Sequence, residues 1–327
     1  MGTHETKPTG IVWDPLYLEH KPGPGHPECP ARCHAVLEGI RQAVPESSRI
    51  ELKARMATED EILFCHTRGY FETVKEDVRD SVRCLSTGDT DISERSLDAA
   101  LMAVGGVLSA VDAVVTGSVR NAFCVVRPPG HHATPDRGMG FCIFNNVAIG
   151  ARYAQRKHGI ERILIVDWDV HHGNGTQEIF WEDPSVFYFS THQWPCYPGT
   201  GRASEIGGGA GKGFTLNCPF PAGSGRKELL GALREKLIPA MRNFRPQLVL
   251  ISAGFDTLSS DPIGGFALAP EDFGDLTDAV LEIAADHASN RLVSVLEGGY
   301  DLLGLSRAAG IHVARLAARC DVTEGPK

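Results

Sequence analysis

In the segment Asp167-Trp168-Asp169-Val170-His171, two carboxylates and an imidazole stand at alternate positions. Residues i, i+2 and i+4 of an extended chain project to one side, so Asp167, Asp169 and His171 can face one point. Oxygen and imidazole nitrogen suit zinc or a similar divalent ion, and a catalytic metal takes three protein ligands and keeps a position open. Asp256, which follows another apolar run, is the candidate third ligand. Two carboxylates and one neutral imidazole would balance a divalent charge and leave a Lewis acid able to polarise a carbonyl. The competing reading is that Asp167 and Asp169 cap the next segment and that the histidines lie in a solvated loop. The dipeptide His131-His132 proves little alone, because 13 histidines make about half of one such pair expected from composition. Its placement says more. It follows Pro128-Pro129-Gly130, a turn that exposes side chains, and a histidine beside an activated water is a natural general base.

These side chains need elements that deliver them to one place. Short runs rich in β-branched and aromatic residues cover Ile11 to Trp13, Ala122 to Val126, Arg162 to Val166, Ser185 to Phe189, Leu248 to Ser252 and Leu292 to Leu296. Near-continuous apolar runs of this kind suit strands buried on both faces of a parallel sheet. Helical patterns lie between them at Ser96 to Thr116, Asn145 to His158, Arg226 to Phe244, Pro270 to His287 and Leu302 to Ala318. Alternating strands and helices predict a single-domain, doubly wound α/β fold with a mainly parallel sheet flanked by helices and functional groups at the carboxyl ends of the strands. The candidates obey that rule: His131-His132, the Asp167 to His172 group, Asp256 and Glu297-Gly298-Gly299-Tyr300 each follow a different run. Residues 1–10 are polar and expected to fray, residues 11–319 form the catalytic domain, and residues 320–327 form a tail.

Composition narrows the function. With 41 acidic and 32 basic side chains among 327 residues, the formal charge is −9, and no Lys/Arg stripe offers itself to a phosphate backbone, so direct nucleic-acid binding is not expected. Hydrophobic residues at 42% and charged residues at 22% are those of a globular protein. The 36 glycines and 20 prolines imply long shaped loops. Nine cysteines without a C-x-x-C pair read as reduced, mostly buried thiols of a cytoplasmic protein. Neither a signal peptide nor an uninterrupted run of 18 apolar residues is present, so no membrane association is expected. The oligomeric state is left open.

Six motifs in order, Arg127-Pro-Pro-Gly-His-His-Ala133, Gly140-Phe-Cys-Ile-Phe-Asn-Asn146, Asp167-Trp-Asp-Val-His-His-Gly-Asn-Gly-Thr176, Pro198-Gly-Thr-Gly201, Ala253-Gly-Phe-Asp256 and Glu297-Gly-Gly-Tyr300, resemble the zinc-dependent histone deacetylase family. Gly25-His-Pro-Glu-Cys-Pro-Ala-Arg32 and Asp261-Pro-Ile-Gly-Gly265 resemble its early and late loops. The form of the third motif is closer to the class II and bacterial amidohydrolase-like branch, and the resemblance implies the arginase/deacetylase fold.

It also implies roles. Asp169, His171 and Asp256 would bind Zn2+. His131 and His132 would be the tandem catalytic pair, the second as general base and the first as an electrostatic partner, oriented by Asp167 and Asn174 respectively. Tyr300 would donate to the substrate carbonyl oxygen. Phe141 and Tyr197 would wall a channel around the acyl-lysine stem, with core packing as the alternative for both. Gly140 would accept the substrate amide hydrogen through its carbonyl, and Asp89 would grip the substrate backbone. Asp167 and Ser190 match ligands of a structural K+. Tyr197 replaces the more usual Phe.

The implied reaction is removal of acetyl or other acyl groups from lysine side chains in proteins and peptides, or from small acylated amines. Three alternatives compete. An arginase-like enzyme would need more Asp ligands for a second metal. A non-catalytic acyl-ligand binder would not need the complete set found here. An acetylpolyamine deacetylase uses the same machinery, but polyamine-selective relatives carry Glu where this chain has Ile263.

Overall fold

The structure is a computed structural model that describes residues 7–318. Eight strands, β1 (Thr9–Val12), β2 (Arg49–Leu52), β3 (Asn121–Cys124), β4 (Ile163–Asp167), β5 (Val186–Gln193), β6 (Thr215–Phe220), β7 (Leu248–Ala253) and β8 (Leu292–Leu296), form one all-parallel sheet in the order β2-β1-β3-β8-β7-β4-β5-β6. The strands β1, β3, β4, β7 and β8 are buried at every position. This is the signature of a sheet covered on both faces, and it made them legible as apolar runs.

The two strands that the apolar pattern does not reveal are the edges. In β2 the residues Ile50 and Glu51 are exposed, and β6 carries Pro219, a residue tolerated where no neighbour needs its missing N–H. The first strand begins at Thr9, so the expected fraying of residues 1–10 does not hold for Thr9 and Gly10, which pair with Arg49 and Ile50. Residues 1–6 of that expectation, and the tail at 320–327, lie outside the described residues.

Among the described residues ten α-helices accompany the sheet: α1 (Ala31–Ala43), α2 (Glu59–Ile62), α3 (Arg68–Arg79), α4 (Ser96–Val115), α5 (Asn146–His158), α6 (Asn174–Ile179), α7 (Arg226–Ala232), α8 (Ile238–Phe244), α9 (Asp272–His287) and α10 (Leu302–Ala317). Helices α1, α9 and α10 pack together, as do α4 and α5. The single helix expected over Arg226 to Phe244 is instead α7 and α8 joined by a π-helical turn at Leu233–Leu237. Pro239 has no N–H to continue the regular ladder, and a wider turn absorbs the break. Helix α4 is long and apolar enough by length and composition to cross a membrane, although Asp98 and Asp112 interrupt it so that it is no uninterrupted apolar run. It is a core helix, packed against β1, β3, β8 and α5, and therefore apolar around most of its circumference.

The early loop is tied to the carboxyl ends of the strands by buried charge. Glu28, fully buried, accepts Arg127 Nη2 at 2.6 Å and Arg32 Nη1 at 3.0 Å, and Arg127 Nε bonds it as well. Arg127 also donates to the Tyr17 and His20 carbonyls, and Arg32 to the Gly299 and Glu297 carbonyls. One carboxylate thus couples the loop before α1 to the turns after β3 and β8. Burial alone would push the Glu28 carboxyl up, but the Arg127 guanidinium, helped by hydrogen bonds from His20 and Arg127, holds it well below the usual glutamate range. A carboxyl lowered in the folded state contributes stability above its unfolded value and loses it as pH falls through the folded one. Glu28→Gln, which leaves two guanidinium groups without their counter-charge, is therefore expected to cost about 3–5 kcal/mol in chemical denaturation at neutral pH. It should also flatten the acid limb of the stability curve, and equal acid sensitivity in variant and wild type would remove Glu28 from that role.

Candidate active site

Because β3, β8, β7 and β4 lie side by side, the four groups that follow them meet. Asp169 and His171 leave the end of β4, Asp256 follows β7, and one ligating atom from each lies within 4.8 Å of the others. His171 Nδ1 stands 3.1 Å from Asp169 Oδ1 and 3.2 Å from Asp256 Oδ2. The other carboxylate oxygens are held by backbone: Val170 N–H donates to Asp256 Oδ1 at 2.9 Å, and Gly298 N–H to Asp169 Oδ2 at 2.8 Å. Asp256 Oδ2 is buried and has no hydrogen-bond donor. Burial and the nearby Asp169 charge push the Asp256 carboxyl up to about 7. Two buried carboxylates with one orphaned oxygen and one imidazole nitrogen fit a divalent cation, since a cation removes the repulsion that otherwise protonates one of them. The approach is close enough that a Cβ on Gly298 would stand 2.1 Å from Asp256 Oδ2, and one on Gly254 2.2 Å from Asp169 Oδ2.

The tandem histidines stand beside this cradle with different partners. His131 Nδ1 lies 3.1 Å from Asp167 Oδ2, and its Nε2 lies 3.9 Å from Asp169 Oδ1. Burial opposes charge on this ring, but Asp169 and Asp167 outweigh it and raise its pKa to about 10. His132 Nδ1 lies 2.8 Å from the Asn174 side-chain oxygen. Burial, then the adjacent His131 charge, lowers it well below the ordinary histidine value. An anionic and a neutral partner therefore leave one imidazole charged and the other neutral, which suits one for electrostatic support and the other for accepting a proton. Asp167 also accepts Tyr188 Oη at 3.1 Å, and its register partner on β5 is Ser190, whose hydroxyl lies 2.9 Å from His192 Nδ1.

Above the cradle, a cavity of about 270 Å³ is lined by Asp89, Pro129, His131, His132, Gly140, Phe141, His171, Tyr197, Ile263, Gly298 and Tyr300. Phe141 and Tyr197 thus line this channel and are not core residues. Phe141 has φ +67°, a strained backbone for a non-glycine residue that persists only where surroundings enforce it. Asp89 is part of that enforcement. Its Oδ1 accepts Gly140 N–H at 2.8 Å, and its Oδ2 accepts Tyr197 Oη at 3.1 Å. The Tyr197 hydroxyl, absent from a Phe, therefore clasps Asp89 across the mouth. Tyr300 stands with its ring 5.9 Å from that of Phe141 and 4.9 Å beneath the Arg32 guanidinium. Burial raises its phenol well above the usual value, so it is a hydrogen-bond donor at neutral pH.

Residue patterns alone did not single out the supports. Asp261 accepts Tyr300 N–H at 2.7 Å through Oδ2 and Ile263 N–H at 3.0 Å through Oδ1, so one carboxylate holds both the rim and the turn that carries Tyr300. His26 packs edge-on against Phe141 at 4.6 Å. Both lie in loops without periodicity, and their only sequence signal was membership of the flanking motifs.

The model of the histone deacetylase domain matches residues 26–316. The chain is 41% identical to a probable deacetylase of Archaeoglobus fulgidus, over 96% of this chain and 88% of that protein. It is 36% identical to the histone deacetylase-like amidohydrolase of Pseudomonas aeruginosa, covering 90% and 82%. It is also 41% identical to the human polyamine deacetylase HDAC10, over 94% of this chain but 46% of that protein. Among solved structures, the HDA15 HD domain superposes with a TM-score of 0.88 at 36% identity, covering 95% of this chain and 91% of the other. The matched segment runs through the cradle, both histidines and Tyr300, and the same architecture recurs in that solved relative: the chain belongs to the histone deacetylase family and is an amide hydrolase.

Proposed function

We propose that this chain is a zinc-dependent lysine deacylase that hydrolyses the amide of an acylated lysine side chain to a carboxylate and a free amine. The observation that carries this reading is a narrow aromatic-walled cavity with a three-residue metal cradle, two unlike histidines and a neutral tyrosine around its base. Bound at Asp169, His171 and Asp256, zinc would supply Lewis acidity toward the acyl carbonyl and lower the pKa of water.

The remaining work falls to side chains of this protein. His132, kept neutral by burial, accepts the proton of the attacking water, while His131, charged against Asp167, supports the negative charge that develops. Tyr300 donates its phenolic hydrogen to the carbonyl oxygen as that oxygen becomes an anion. The faces of Phe141 and Tyr197 enclose the aliphatic stem, and the Gly140 carbonyl accepts the substrate N–H. When the C–N bond breaks, the proton held by histidine passes to the leaving amine. A monovalent cation, K+ by resemblance, would sit at Asp167 and Ser190, and the pairing of these residues across β4 and β5 supports it. A cytoplasmic location belongs to the same reading, supported by eight unpaired cysteines among the described residues.

Acetylpolyamine hydrolysis is the second reading, favoured by the 41% identity to a polyamine deacetylase. Ile263 argues against it. This residue lines the cavity at its rim, and an apolar side chain there offers no counter-charge to a distal ammonium, whose desolvation is costly when unpaired.

Asp256→Ala should fold, but metal analysis should find less bound zinc and assays no turnover; full occupancy with retained activity would refute the cradle. Tyr300→Phe should lower kcat on the order of 10² with little change in KM, whereas a change in KM alone would place the hydroxyl outside the reaction centre. For the substrate, kcat/KM should be higher for acetyl-lysine peptides than for N-acetylputrescine and N8-acetylspermidine. Ile263→Glu should move that ratio toward the polyamines by roughly 1–3 kcal/mol, and a wild type that already prefers polyamines would decide for the second reading.

A further inference from the structure

Glu297 is a fully buried carboxylate that no step of the reaction uses. It follows β8 directly, and its Oε2 accepts the backbone N–H groups of Gly130 at 2.7 Å and His131 at 3.2 Å. Its Oε1 accepts the Ser252 hydroxyl of β7 at 3.0 Å. The residue is itself anchored, since its N–H donates to the Ala253 carbonyl at 3.1 Å and its carbonyl accepts from Arg32. On the opposite side the turn is pressed by Asn146. A Cβ on Gly130 would stand 2.5 Å from Asn146 N, and Asn146 Nδ2 donates to the Pro128 carbonyl at 3.0 Å. The turn that carries His131 is thus held by both Asn146 and Glu297, and of the two Glu297 reaches the backbone N–H of His131, whose carbonyl accepts Thr176 N–H at 3.2 Å.

We propose that Glu297 is a positioning residue: by accepting two successive N–H groups, its carboxylate sets where the His131 imidazole stands between Asp167 and the metal cradle. The role rests on the deacylase reading above, but it is a statement about placement and can be measured without turnover. Placement matters because the His131 ring meets Asp167 on one side and faces Asp169 on the other, and a displacement of about 1 Å at such a site can cost on the order of 10²-fold in rate. Geometry, rather than charge alone, is what the contact supplies. A carboxamide oxygen can accept the same two N–H groups while its nitrogen donates to Ser252 Oγ, which has a lone pair to receive it. A side chain one methylene shorter keeps the charge and loses the reach.

The test compares Glu297→Gln with Glu297→Asp in the zinc-loaded protein. Glu297→Gln should stay within roughly threefold of the wild-type kcat, and Glu297→Asp should lose about 10- to 100-fold, both with unchanged KM for an acetyl-lysine peptide and unchanged zinc content. The downfield Nδ1–H resonance of His131 in its hydrogen bond to Asp167, identified by its absence in His131→Asn, should persist in Glu297→Gln and shift or vanish in Glu297→Asp. The reverse order of the two variants would assign the effect to charge and overturn the proposal. Two variants that both match wild type, or a loss that follows zinc content, would overturn it as well. Should the wild type hydrolyse none of the substrates, the deacylase reading fails, and the resonance pattern alone still decides whether Glu297 sets the position of His131.

Discussion

Four carboxylates, those of Asp167, Asp169, Asp256 and Glu297, are buried at the carboxyl ends of three adjacent strands, and an ionised carboxylate taken from water without compensation is among the costliest things a fold can bury. Most of the surrounding structure answers that constraint. Asp167 is met by the His131 ring and the Tyr188 hydroxyl. Glu297 is met by two backbone N–H groups and the Ser252 hydroxyl. Asp169 and Asp256 both face the His171 imidazole, and the Asp256 oxygen nearest it has no hydrogen-bond partner. The uncompensated charge is therefore concentrated in the one place where a cation can approach from the channel.

The same logic extends outward as a second ring of buried charge. Glu28 with Arg32 and Arg127 holds the turns after β3 and β8 against each other. Buried ion pairs of this kind are a weak source of net stability, but breaking one is costly because the remaining charge has nowhere to go. Their effect here is to couple segments far apart in the chain, so that His131 and Tyr300 hold a common frame. Asp261 does the equivalent at the rim, with one oxygen toward Tyr300 and the other toward Ile263.

Recognition is built from less rigid parts. The walls of the channel come from loops, where variation is tolerated and function commonly resides. Phe141 is forced into a left-handed backbone, and the loop around it is held by Asp89, which also takes the hydroxyl of Tyr197. A Phe at position 197 would leave that oxygen of Asp89 free, so the Tyr changes how much of Asp89 remains available to a substrate backbone. The chemistry and the selectivity of the site are thus carried by different structural layers.

The sequence by itself determined the fold class and the outlets of the central strands, because a strand buried on both faces has to be apolar along its length and must end where polar chemistry begins. It also placed Asp169 and His171 on one side of an extended segment, a consequence of the two-residue period of the chain, and the six motifs identified the family. The edge strands β2 and β6 escaped because a half-solvated edge needs no apolar run. The break between α7 and α8 was missed because the helical pattern continues across Pro239. Only the tertiary structure decided that β8 and β7, from the last third of the chain, insert between β3 and β4 and bring Asp256 and Tyr300 to the histidines. Strand order is settled by packing over long sequence separations and leaves no local trace. The roles of the supports were equally hidden, since a carboxylate that accepts guanidinium groups, as Glu28 does, or backbone N–H groups, as Asp261 and Glu297 do, looks in the sequence like any other acidic residue even inside a quoted motif.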